Sequence, residues 1–117
     1  MLKVVEEAER LAMVQRLARA NAEKSAAADR EARARFAARK AAAWAAEAWE
    51  EVLTAAAQGN ARDSRSWELE AKWRDALVRE ATAREKAATR DAWQTWEAWH
   101  SALVRGRAGS ADVGGLS

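Results

Sequence analysis

The sequence predicts an all-α protein, a long antiparallel helical hairpin assembling into a helical bundle, and three observations carry that expectation. Alanine supplies 33 of the 117 residues, and it is the strongest helix former because ordering it costs no side-chain entropy. Proline is absent, so no position breaks the ladder of backbone hydrogen bonds or clashes with a preceding turn. One glycine-centred break, Gln58-Gly59-Asn60, divides the apolar periodicity into two long runs.

The first run predicts a helix over about 2–58, with an apolar stripe of Ala34, Ala38, Ala42, Ala45, Trp49, Val52 and Ala56. An alanine ladder of this kind lets a partner helix approach closely. The break predicts a turn over 59–65, where Gly59 can take the left-handed conformation that closes a helix. Asp63, Ser64 or Ser66 can cap the next helix, and Glu68 and Glu70 then lie near its positive end.

The second helix is expected over about 66–105. One face carries Trp73, Leu77, Ala81, Ala88, Ala92, Trp96, Trp99 and Leu103, and the other carries Lys72, Asp75, Arg79, Lys86, Arg90 and Glu97. The apolar steps average about 3.75 residues per turn, close to an eleven-residue repeat through Leu77, Ala88 and Trp99, which favours a straight or slightly right-handed bundle. Gly106 reads as a second stop. Residues 106–117, rich in glycine and poor in apolar bulk, read as a disordered tail behind a single helical domain of residues 1–105.

Folding at the turn sets side by side residues whose numbers total about 124, which brings Trp93, Trp96 and Trp99 against the small residues of 26–29. The first helix would be ~85 Å long and the second ~60 Å, at ~1.5 Å per residue. The excess falls on residues 1–18, the richest aliphatic run. Either residues 1–20 fold back as a third helix, or the segment pairs with another chain; the lack of Gly or Pro there favours pairing. Phe36, Trp44 and Trp93 also fall off the stripes. Val4, Leu11, Val14, Leu17, Phe36, Trp44 and Trp93 are therefore the candidate interface residues of a homo-oligomer, with a dimer favoured, or of a complex with another helical protein.

Charge narrows the function classes. The chain has 20 basic and 18 acidic residues, interspersed, for a net charge of +2, a balance that suits a solvated helix surface and does not by itself call for a nucleic-acid partner. Without cysteine there are no disulfides and no thiolate metal sites. The longest charge-free stretch, Val52 to Ala61, is far short of the ~20 residues that cross a bilayer. Met1 to Glu7 carries acids where a secretion signal needs a basic segment and an apolar run, so the chain reads as cytoplasmic and non-membrane.

Residues that could carry chemistry are few. The single histidine, His100, beside Trp96 and Trp99, could serve as an axial ligand in a porphyrin-binding bundle, but no second ligand candidate accompanies it. Glu97-Ala98-Trp99-His100 has the spacing of a di-iron helix pair once only, with Glu97 on the charged face. No phosphate-binding loop or nucleophile motif occurs, and neither enzyme activity nor a cofactor is expected. Arg30, Arg33, Arg35, Arg39 and Lys40 form a locally basic stretch that could serve a nucleic-acid-binding helical dimer, although they spread around the helix. The expected function is a non-enzymatic structural or protein-interaction module that self-associates through Ala/Trp-rich helices.

Overall fold

Two helices make up the protein, α1 over Leu2–Ala57 and α2 over Ala61–Gly115, and they pack against each other in a hairpin without strands among the described residues. This is a computed structural model; it describes the backbone of residues 2–115 and the side chains of residues 2–107.

The helices are 56 and 55 residues long, so the amino-terminal excess expected from a shorter second helix does not arise. α2 passes through Gly106, where the sequence reading ends it, and the stretch expected as a disordered tail is helical through Gly115; Leu116 and Ser117 lie outside the described residues. Gly106 sits where a Cβ would meet Met13 Sδ at 3.5 Å and Leu17 Cδ1 at 3.7 Å, and its φ is not positive. It is a point of close approach to α1 rather than a stop. Residues 2–20 accordingly belong to α1 and do not fold back as a third helix, and Met1 lies outside the described residues.

The turn is tighter than the seven residues expected. Gly59 adopts φ 74°, the Asn60 N–H donates to the Ala55 carbonyl at 2.9 Å, and the Gly59 N–H donates to the Ala56 carbonyl at 3.0 Å. These bonds satisfy the last carbonyls of α1 in a Schellman closure. The cap of α2 is Asn60, not Asp63, Ser64 or Ser66. Asn60 Oδ1 accepts from the Asp63 N–H at 3.1 Å, the bond of an N-cap, and Asn60 Nδ2 donates to Asp63 Oδ2 at 2.7 Å. Ser64 Oγ then donates to the Val52 carbonyl at 3.3 Å and ties the two helices together just below the turn.

Covered positions recur with a period of seven. With a heptad written a to g, the half-buried or buried residues of α1 include Leu17, Lys24, Glu31, Ala38, Ala45 and Val52 at a, and Met13, Ala20, Ala27, Ala34, Ala41, Ala48 and Ala55 at d. In α2 every a position from Ser64 to Gly106 and every d position from Trp67 to Ala102 is likewise covered. The spacing is that of a coiled coil, about 3.5 residues per turn, and it corrects the eleven-residue drift inferred from the tryptophans. Trp67 and Trp99 lie in the seam at d and a, whereas Trp73 and Trp96 stand beside it at c and e and drew the apolar stripe off it.

Buried residues are all alanines: Ala27, Ala38, Ala45, Ala48, Ala55 and Ala71, with no larger side chain fully buried among the described residues.

Candidate functional site

By its contacts the chain divides into two compact units, a turn unit of Arg30–Ala88 and an open unit formed by Met1–Asp29 with Thr89–Ser117. Each has its own arrangement of aromatic side chains.

In the turn unit the two tryptophans of α1 are engaged by polar side chains of α2. Arg74, whose side chain is 13% exposed, donates from Nη1 to the Trp44 carbonyl at 2.9 Å and from Nε to Glu70 Oε1 at 3.0 Å. Its guanidinium also lies 4.3 Å from the centre of the Trp44 ring and 6.0 Å from that of Trp67. Trp44 and Trp73 meet edge to face, 5.5 Å between ring centres. Trp49 Nε1 donates to Asp75 Oδ2 at 3.0 Å. A planar cation can stack on rings while its fork bonds a carbonyl and a carboxylate, and lysine could not do both. Trp44, expected to await another chain, is thus held within its own.

In the open unit the rings stand outside the seam. Trp93 and Trp96 stack with centres 5.3 Å apart and planes 16° apart, and Trp96 and His100 stack at 5.0 Å and 12°. Trp93 is 58% exposed and Trp96 40%. Only Trp99 is drawn in, with Lys24 Nζ 3.7 Å from its ring centre. Leu11 (60% exposed) and Val14 (54%) are also open, as is Val4, whereas Leu17 is half-buried beside Gly106. Phe36, in the turn unit, is exposed.

The other sequence candidates are scattered. His100 is exposed on the outer end of the ring stack, not in a cavity, and no cluster of three or more His, Asp or Glu among the described residues could hold a metal ion. Arg35 divides its charge between Glu31 at 3.5 Å and Glu85 at 3.6 Å. The basic stretch falls on two flanks, with Arg30, Arg33 and Lys40 at g and c and Arg35 and Arg39 at e and b. A depression of about 590 Å³ lined by Ala37, Lys40, Ala41, Ala43, Trp44 and Glu47 belongs to α1 alone and is open to solvent. It lacks the convergent polar groups that orient a small ligand. No helix among the described residues is long and apolar enough to cross a membrane.

Sequence reasoning missed Arg74 and Lys24, the cations that lie over the rings. Both occupy heptad positions, d and a, so a charged residue inside a seven-residue alanine stripe was the available signal. Compared with known proteins, the chain matches no family model, no curated protein and no solved structure.

Proposed function

We propose that this chain is a non-enzymatic helical interaction module that self-associates. The observation that supports it is the inversion of the usual distribution of apolar bulk. Among the described residues only alanines are buried, while Leu11, Val14, Phe36, Leu53, Leu69, Trp73, Trp93 and Trp96 are exposed. Single exposed apolar residues are common on any protein, but grouped ones mark interaction surfaces, and Leu11, Val14, Trp93 and Trp96 share the b and e flank of the helix pair. Binding nucleic acid through Arg30, Arg33, Arg35, Arg39 and Lys40 has less support, because the stretch splits between two flanks and Arg35 has two acidic neighbours.

The experiment is a double substitution, Leu11→Glu with Val14→Glu, read by light scattering and far-ultraviolet circular dichroism. Both side chains are exposed and outside the a and d seam, so the hairpin should keep its helix signal. The mass should fall, because a charge buried in an interface without a partner is costly. A mass equal to that of the wild type would remove this segment from the interface.

A further inference from the structure

Over residues 11–28 of α1 and 93–103 of α2, one edge of the open unit carries no Lys, Arg, Asp or Glu; Glu7 and Arg107 occupy the same positions beyond it. Positions b and e of α1 there carry Leu11, Val14, Ala18, Asn21, Ser25 and Ala28. The same positions of α2 carry Trp93, Trp96, His100 and Leu103. None is Lys, Arg, Asp or Glu, in a chain that is 32% charged. In the turn unit b and e carry Arg35, Arg39, Lys72 and Arg79 among others. The e positions of the two helices share an edge, as the Trp49–Asp75 hydrogen bond shows, since both of its residues are at e.

This edge has a ridge and a shelf. On α2 the stacked rings of Trp93, Trp96 and His100 stand out of the seam. On α1 the residues alongside them, Ala18, Asn21, Ser25 and Ala28, are small and exposed. Rings already stacked on one another have little rotamer freedom left to lose on docking. A two-fold interface must be self-complementary, the same patch serving both copies, and a ridge beside a shelf meets that condition.

We propose that a second copy of this chain docks on this edge, the ring ridge of each copy lying on the small-residue shelf of the other. The inference rests on the self-association reading and names its surface. Large against small interdigitates without voids. The exposed parts of Leu11, Val14, Trp93 and Trp96 amount to roughly 450 Å² per copy, so with His100, Leu103 and the shelf the pair reaches the 1,200–2,000 Å² of a stable interface. No charge is desolvated at these positions, which removes the main cost of burying a helix flank.

The test is sedimentation of the full chain as wild type, Ser25→Glu and Trp96→Lys, with circular dichroism confirming equal helix content. Each single substitution should weaken the dimer at least about ten-fold. An equimolar mixture of the two variants should restore it. In the mixed dimer one ridge–shelf contact is wild type, and the other pairs the introduced ammonium with the introduced carboxylate. Variants that dimerise like the wild type, or a mixture that stays monomeric, would overturn the proposed seam. A wild-type dimer that ignores both changes but is broken by Phe36→Glu would overturn the seam while leaving self-association standing. A wild type that is monomeric throughout would sink both.

Discussion

The turn unit and the open unit use the same residue types to opposite ends. Both set tryptophans beside an alanine seam. In the turn unit α2 supplies a polar group for each tryptophan of α1: Arg74 for Trp44, and Asp75 for the Trp49 indole N–H. In the open unit Trp99 meets Lys24 of α1, but Trp93, Trp96 and His100 stack on one another, and the α1 residues alongside those three are small and neutral. Aromatic bulk therefore does not say by itself whether a helix pair is closed. What stands opposite the ring decides, because an indole buried without a hydrogen-bond partner is penalised whereas a paired one is held in place.

If polar partners close the turn unit, Arg74→Ala should have the largest effect on stability. It removes a carbonyl bond, a carboxylate bond and two ring contacts from a nearly covered side chain, for a loss of about 2–3 kcal/mol. Thermal unfolding measures the loss, and hydrogen exchange should locate the faster-opening amides in residues 30–88. Equal loosening at Thr89 to Ala102 would contradict the division. Trp49→Phe keeps the ring but leaves Asp75 Oδ2 without its indole donor. It should cost about 1–2 kcal/mol in denaturant unfolding, and less than half a kcal/mol would mean that water substitutes fully for the indole.

The glycines sharpen the same contrast with effects of opposite sign. Gly59→Ala places a Cβ at φ 74° and should destabilise the chain by about 1 kcal/mol. Gly106→Ala replaces a helical glycine where a Cβ finds Met13 and Leu17 at ordinary contact distance, so it should stabilise by about 0.5–1 kcal/mol. If melting temperatures showed Gly106→Ala to be as damaging as Gly59→Ala, Gly106 would be a helix terminus rather than a point of close approach.

Much of this fold was legible in the residues. The absence of proline, the alanine content and Gly59 lead to two helices and a turn, and Asn60 directly after Gly59 was an N-cap open to reading. The seam was also written out, in Ala20, Ala27, Ala34, Ala41, Ala48 and Ala55 at intervals of seven. It was obscured because tryptophan dominates any scan for apolar periodicity, while alanine, spread over nearly a third of the chain, gives little contrast. Trp73 and Trp96 drew the stripe away from the seam they flank. The end of α2 was misplaced for a different reason: glycine in a helix reads as a stop unless its neighbour across the interface is known. Of the candidate interface residues, Leu11, Val14 and Trp93 fall on the uncharged edge, whereas Trp44 and Leu17 are engaged within the chain. That distinction follows from the register between the helices, which no single helix encodes.

The account depends most on whether the exposed rings and aliphatics are covered by another copy. Sedimentation equilibrium of the wild-type chain, from about 1 to 100 µM at near-physiological salt, addresses this directly. The chain mass is 12.9 kDa, and self-association through the uncharged edge predicts a mass rising with concentration to twice that value, with helix content unchanged. A mass of 12.9 kDa at every concentration would contradict it.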